Sequence, residues 1–504
     1  MITILAMLLT AQPATITVYA DQRKPISKYI YGANFPDWKG IGFGYTLARL
    51  GGNRTTAYNW ETNASNAGAD YRHQNDGYMG ESDVPGKTYL DFMRDAQRNQ
   101  AAVLLTIPTA GYVSADKGPD GDVNKTPNYL QTRFHRSYAK KPGKLAYPPN
   151  TKDKAVYQDE FVAYLESRKL SNTPLWYSLD NEPDLWGHTH QRIWPKNPTY
   201  AQILANNIEF ASGIKDVAKQ TLIFGPANYG WQGFRTFQDA PDANGRDFLD
   251  FYLAGMRAAG NRQGRRLLDV LDIHWYPEAQ GGGQRIAFGE DKPGTAEARI
   301  QASRSLWDPN YVETSWIAQT LGGKPIVLLP RVLGQIAKHY PNTKLAITEY
   351  DYGGGKNASG MIAQADVLGL FGRYGLFAAT HWGISKDDPA QVAGFRAFIN
   401  YDGKGGRFGD RGLAVSGQRP ADNAVYASVD SVNRNRLTIV AINKTDAVQP
   451  MRLVSNGFTP RSSRAFAQRH DAPFNPRSVP ATLSKGVVTL DSPPLSVVTV
   501  ELTR

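Results

Sequence analysis

From Tyr29 to Trp382 the chain alternates, eight times over, between a short apolar run and a longer stretch. Most of those longer stretches are amphipathic at helical spacing. A strand apolar on both faces must be covered by helices on both, and strands joined through helices run parallel, so the pattern calls for a buried parallel sheet. The runs end near Asn34, Asn53, Pro108, Asn181, Asn228, Tyr276, Glu349 and Trp382. Eight such units fit a closed (β/α)8 barrel, a TIM barrel of the α/β class. Helices are expected over Lys87 to Arg98, Val156 to Arg168, Arg246 to Ala259, Ile326 to His339 and Met361 to Tyr374. In the clearest, Tyr200, Ile203, Leu204, Ile208, Ala211, Ile214 and Val217 share one stripe. No stripe is legible between the Asn34 and Asn53 runs.

After about Gly412 the texture changes. Val425 to Asp430, Arg436 to Asn443, Met451 to Val454, Gly486 to Leu490 and Ser496 to Leu502 are short strands split by turn residues, the pattern of a β-sandwich. Ala14 to Ala20 alternates as a strand but precedes the first barrel run, so it is expected to join the sandwich. The expected division is 1–12 an export-signal remnant or an added leader, 13–26 the joining strand, 27–412 the barrel and 413–504 the sandwich. All ten Trp lie at or before Trp382. The sandwich thus lacks Trp platforms for a sugar and reads as a structural partner of the barrel.

At 504 residues the chain exceeds one ordinary core, which agrees with a large domain plus a smaller one. The net charge is +11, yet the cations are scattered and form no basic helix or arm, so no nucleic-acid partner is expected. There is no cysteine, which removes disulfides and thiolate metal sites. No run approaches the roughly 18 apolar residues that span a bilayer, so no membrane association is expected. A monomer acting outside the cell is the expectation.

Chemistry concentrates at two strand ends, Tyr177-Ser-Leu-Asp-Asn-Glu182-Pro-Asp-Leu-Trp186 and Leu345-Ala-Ile-Thr-Glu349-Tyr-Asp-Tyr-Gly-Gly-Gly355. In each, an apolar run breaks at one glutamate into a loop rich in Gly, Pro and aromatics. Either glutamate alone is more often a loop ion pair than a catalyst. Two of them at the ends of barrel strands match glycosidic bond cleavage, which needs one carboxyl to protonate the leaving oxygen and another to meet charge on the ring carbon. Rival chemistries are weaker. No G-x-S-x-G occurs, and Gly86-Lys87-Thr88 has Glu81 where a phosphate loop needs glycine. His188 and His190, with His274 and His381, lack the spacing of a zinc site.

Four stretches together make a more specific match: Asp180-Asn-Glu-Pro, Thr348-Glu-Tyr-Asp-Tyr-Gly-Gly, Gly51-Gly-Asn-x-Thr-Thr-x-Tyr-Asn-Trp60 and Asp272-Ile-His-Trp-Tyr-Pro-Glu278. The chain resembles glycoside hydrolase family 44 over nearly its whole length, with Leu50 where the family pattern has Trp. The resemblance implies a retaining endo-β-1,4-glucanase or xyloglucanase, with Glu182 as acid/base and Glu349 as nucleophile. No cofactor is expected for catalysis. The resemblance also implies a structural calcium, for which Glu61, Asp153 and Asp159 are the candidate oxygen ligands.

Around the glutamates, Asn181 is placed to reach the sugar 2-hydroxyl. His274 and Tyr276, two apart on one strand face, are expected at the cleft, where they would position Glu349. Arg49 and Asn53 are expected against the nucleophile or the sugar, with a buried ion pair as the plain alternative for Arg49. Trp60, Trp186, Trp194, Trp231, Trp275 and Trp382 lie at or just past strand ends; Trp60, Trp231 and Trp382 are taken as stacking surfaces, with half of such residues expected to be packing. The expected partner is a polysaccharide: cellulose, carboxymethylcellulose, xyloglucan or mixed-linkage glucan. A xylanase on the same scaffold and a noncatalytic glycan-binding barrel are the alternatives.

Overall fold

The computed structural model describes residues 13–41, 44–170, 172–287 and 291–504. The leader expected over 1–12 lies outside them. Eight parallel strands close into a barrel in the order of the chain: Gly32–Asn34, Leu47–Leu50, Ala102–Ile107, Leu175–Leu179, Ile223–Asn228, Val270–Trp275, Lys344–Tyr350 and Ala378–His381. The expected helices are present as Lys87–Arg98, Gln158–Arg168, Tyr200–Val217, Phe248–Gln263, Leu328–His339 and Ala358–Tyr374. Two further helices, Thr295–Ala302 and Pro389–Ile399, went unread in the sequence. The second strand ends at Leu50 rather than at Asn53, which instead begins the short helix Asn53–Thr56 after Gly51-Gly52.

The barrel interior changes character along the strands. At its amino end Leu47, Leu104, Trp176, Phe224, Val270, Ala346 and Ala378 form one buried apolar plug. Two residues further along several of the same strands stand Arg49, Thr106, Ser178, Asp272, Thr348 and Thr380, all at 0 % exposure. Because strand side chains alternate faces, a step of two keeps the same face and changes only the layer. The polar layer is stitched across the barrel: Thr348 Oγ1 donates to Asp272 at 2.7 Å, and Arg49 donates to Asn34 at 2.9 Å. The core thus becomes polar where the strands reach their carboxyl ends, the face where barrel enzymes build their sites.

A ten-stranded sheet includes Ala14–Pro25 between Arg411–Ser416 and Gln449–Asn456, antiparallel to the first and parallel to the second. Ile16, Val18 and Ala20 of that strand enter the apolar core with Val425, Ile439, Leu453, Val488 and Val500. The opposite face, through Tyr426, Val440, Ile442 and Val497, belongs to the barrel's own core cluster. Between the two units lies the buried helix Ala358–Tyr374. Its Asp366 pairs with Lys444 at 2.6 Å and accepts from Tyr426 at 2.5 Å and from Ser303. The sandwich is therefore fixed to the barrel by apolar contact and by a buried charge pair.

Candidate active site

The loop after the fourth barrel strand is folded by one carboxylate that is not itself in the cleft. Asp180 accepts from the backbone of Thr109, Asn181 and Ala110 and from Thr56 Oγ1. It holds the chain through two left-handed residues, Asp180 at φ 64° and Glu182 at φ 42°. Non-glycine residues adopt that conformation rarely, and such strain gathers at functional sites. Here the Glu182 N–H donates to the Ala227 carbonyl at 2.9 Å, which turns the side chain over the barrel mouth.

Glu349 arrives by a different device. Along the pairing of the sixth and seventh strands, Ile273 faces Ile347, but His274 faces Glu349, so one residue is extra in the seventh strand. Such a bulge re-aims the side chains that follow it. Glu349 Oε1 accepts from Arg49 Nη1 at 2.7 Å and Oε2 accepts from the Tyr276 hydroxyl at 2.8 Å. His274 Nδ1 lies 2.9 Å from Glu182 Oε1 and 3.5 Å from Glu349 Oε2. The two glutamates and His274 bring one ligand atom each within 4.8 Å of one another.

Electrostatics separates the pair. Burial, then Glu349 and Asp184, push the Glu182 carboxyl well above the usual carboxylate range. Burial also raises Glu349, but the Arg49 charge and the hydrogen bonds from Arg49 and Tyr276 oppose it. Two carboxylates this close share a proton, and the one beside the guanidinium keeps the charge. The Arg49 charge therefore favours the proton on Glu182 over Glu349. Burial, then Arg49, hold the His274 imidazole well below its ordinary value, so it is neutral.

The pair opens into a cavity of about 680 Å³ lined by residues that include Asn53, Asn181, Tyr276 and Trp382, with Glu182 and Glu349 on its wall. Asn181 Oδ1 is occupied by Arg49 Nη2 at 2.9 Å and Gly52 N at 3.1 Å, which turns its amide NH2 to Asn53 and the cleft side. Trp382 stands over Gly52, where a Cβ would meet its ring at 2.7 Å, so glycine there is a requirement of close approach.

Several expected residues sit elsewhere. Trp60 is fully buried and stacks on Phe161, ring centroids 5.2 Å apart, so it is core and cannot meet a sugar. Arg49 and His274 are likewise at 0 % exposure; they act on the carboxylates from behind. Trp231 lines an adjoining cavity of about 380 Å³ with Trp275 and Trp316, joined to the first through Tyr229 and Tyr276. Phe35, Asp70, Tyr78, Phe92 and Tyr229 line the main cavity and were not singled out in the sequence. Phe35 directly follows a strand end, and that position is a readable signal. The others lie on loops and a helix whose route the sequence does not disclose.

The expected calcium ligands divide. Glu61 is buried, and burial followed by the charges of Asp153 and Glu160 pushes its carboxyl up to about 8. Glu160 Oε2 is buried without a hydrogen-bond partner, and Oε1 takes the Lys141 ammonium at 2.5 Å. Asp159, by contrast, accepts from the backbone N–H groups of Lys141 and Glu160. A hard cation suits carboxylates such as those of Glu61, Asp153 and Asp159, and Glu160 adds a buried oxygen without a hydrogen-bond partner. Among the described residues these carboxylates do not come within 4.8 Å of one another as a group.

The sequence profile of glycoside hydrolase family 44 matches residues 64–279. Endoglucanase A of Paenibacillus lautus is 38% identical over 508 residues, which cover 96% of this chain and 72% of that protein. The chain belongs to glycoside hydrolase family 44. It is a glycosidase, and its fold is that of its solved relatives. The family 44 endoglucanase of Clostridium thermocellum superposes with a TM-score of 0.90 at 39% identity, covering 97% of this chain and 99% of that one. The family 44 xyloglucanase of Paenibacillus polymyxa, solved with xyloglucan, gives 0.91 at 35% identity, over 97% and 99%. Among the described residues, no helix of this family 44 chain is long and apolar enough to cross a membrane.

Proposed function

We propose that this glycosidase is a retaining endo-β-1,4-glucanase that cleaves within cellulose-type, xyloglucan or mixed-linkage chains by double displacement. The observation that carries the reading is the short gap between Glu182 and Glu349, an oxygen of each lying within 4.8 Å. Retaining pairs stand about 5–5.5 Å apart, whereas inverting pairs need room for a water at about 6.5–9.5 Å. The names of the relatives, an endoglucanase and a xyloglucanase, support a glucan chain as substrate.

The steps follow from the asymmetry of the pair. Glu182, protonated, gives its proton to the leaving glycosidic oxygen as Glu349 Oε attacks the anomeric carbon, forming a glycosyl ester. Glu182, now ionised, takes a proton from the water that opens the ester, and the proton returns to where it began. Arg49 and Tyr276 hold Glu349 ionised and aimed. With its proton on Nδ1, His274 donates to Glu182 Oε1 and leaves Oε2 for the transferred proton. The Asn181 amide is the donor for the 2-hydroxyl. An enzyme that cuts a polymer too large to enter a cell acts outside it, which supports secretion. Calcium, where bound by Glu61, Asp153, Asp159 and Glu160, would brace the loops around Lys141 and take no part in the chemistry.

Proton NMR of the first product tests the reading: the new reducing end should appear as the β anomer, and an α anomer would rule out Glu349 as nucleophile. With an aryl cellobioside that leaves easily, Glu182→Ala should recover activity in azide and release the β-glycosyl azide. Reducing-sugar release from xyloglucan, carboxymethylcellulose, lichenan and xylan identifies the chain; activity confined to xylan would make the enzyme a xylanase.

A further inference from the structure

The cavity wall is acidic in a chain whose net charge is +11. Its ionisable side chains are Arg54, Asp70, Glu182 and Glu349. Arg54 is already engaged, held by Asp76 at 2.6 Å and lying over the Tyr78 ring at 4.4 Å. Arg49 is fully buried and paired with Glu349. Asp70 differs from all of these. It is exposed on the wall, no cation stands within ion-pair distance of it among the described residues, and its Oδ1 accepts from Asn53 Nδ2 at 2.8 Å.

Asn53 in turn meets Asn181, whose amide is fixed by Arg49, which holds Glu349. Asp70 therefore stands two hydrogen-bonded links from Asn181, through Asn53. Its charge reaches further, since it acts on the Glu182 and Glu349 carboxyls in the raising direction, as the least of the causes in each case. The same cavity is also lined by the apolar or aromatic side chains of Phe35, Met79, Phe92 and Trp382.

A sugar unit there meets ring faces and one free carboxylate oxygen. A neutral unit can donate a hydroxyl to that oxygen, and a charge-assisted hydrogen bond of this kind is among the stronger ones. A unit carrying its own carboxylate finds the Arg54 cation of the wall already paired with Asp76 and faces like charge at Asp70 instead. We propose that Asp70 is a specificity determinant that admits neutral glucosyl units next to the cut and excludes units bearing an acidic group. The inference rests on the glucanase reading and narrows its substrate class.

The experiment compares kcat/KM on carboxymethylcellulose and hydroxyethylcellulose, two soluble glucans whose substituents differ in charge. Asp70→Asn keeps an oxygen for Asn53 and should raise the carboxymethyl-to-hydroxyethyl ratio about two- to fivefold, the range expected for one exposed charge contact. Asp70→Ser should do the same, and Asp70→Glu should leave the ratio at the wild-type value. An unchanged or lower ratio in the folded neutral variants overturns the proposal.

Products of the wild-type enzyme give a second readout that needs no variant. Mass spectrometry of its carboxymethylcellulose fragments should find the units flanking each cut free of carboxymethyl groups, while hydroxyethyl groups are found there in the parallel digest. Carboxymethyl groups beside the cut at their frequency in the polymer would refute the role of Asp70. If the wild type cleaves neither polymer, the glucanase reading fails; if it cleaves both and neither readout moves, only the role of Asp70 does.

Discussion

The mouth of the barrel and the core of the sandwich are both buried, yet they are built on opposite principles. The sandwich core holds Ile16, Val18, Ile439, Leu453, Val488 and Val500, side chains with no polar atom to satisfy. The barrel mouth holds Arg49, Asp180, Glu182, Asp184, Asp272, His274 and Glu349, and burial raises five of these carboxyls and depresses the histidine. Burying ionisable groups costs stability unless partners offset it, and in the mouth the offset is partial by design of the site. The lesson is a division of labour. The sandwich and the apolar plug beneath the mouth hold the fold, and the mouth is left free to hold a proton in the wrong place.

The sharpest way to break that contrast is to exchange the kind of damage done to each region. Glu349→Ala should lower kcat on the polymer by at least about 10⁴-fold, with the protein still folded by circular dichroism. Ile439→Ala in the sandwich should do the reverse, lowering stability by about 2–5 kcal/mol in urea while kcat below the transition stays at the wild-type value. If Ile439→Ala lost activity before it unfolded, the two regions would not be separable.

The seam between them gives the next effect. Asp366→Asn leaves the Lys444 ammonium buried and unpaired, which should cost about 3–5 kcal/mol, read as a lower urea midpoint with kcat unaltered. Burial acts to raise Asp366, but Lys444 with the hydroxyls of Ser303 and Tyr426 outweigh it, so the carboxyl is held below its ordinary value. A depressed carboxylate stabilises the fold above its unfolded pKa, and that contribution is lost as pH falls through the folded value. Acid should therefore loosen the seam in the native protein and leave the variant's stability flatter.

Glu61 has the opposite sign. Its carboxyl is raised to about 8, so the fold is favoured while it is protonated and that benefit fades as pH climbs from its unfolded value toward about 8. Cation binding needs the ionised form. Calcium should consequently raise the Tm more at pH 8 than at pH 5 relative to chelator, and an equal shift at both would exclude Glu61 as a ligand. The smallest effect is the most direct test of the contrast. Glu182→Gln removes a buried carboxyl that faces Glu349, so it should inactivate the enzyme and yet raise its stability by about 1 kcal/mol, measured as a higher urea midpoint.

How much of this was legible beforehand depends on range. The eight strand ends, the principal helices and the pair Glu182 and Glu349 are local signals: an apolar run, a stripe, a glutamate at the break before Pro or Gly. Periodicity reads such signals because each is set by a residue's own neighbours in the chain. Trp60 shows the limit. It stands past a strand end as Trp382 does, but Phe161 and Tyr164 come from a helix a hundred residues away and cover its face. Asp159 and Glu160 are adjacent, and only the approach of Lys141 decided which carboxylate keeps a free oxygen.

The amino-acid order by itself determined that a parallel barrel would form and that two acidic strand ends would gather at one rim, because alternation of burial is written residue by residue. It also fixed that an amino-terminal strand would need a β partner. Tertiary structure alone decided the chemistry of those carboxyls. Which glutamate holds the proton depends on a guanidinium 300 positions away from Glu349, delivered at 2.7 Å by closure of the sheet. A charge's effect depends on distance and on the water excluded between the groups, and neither exists until the chain has folded.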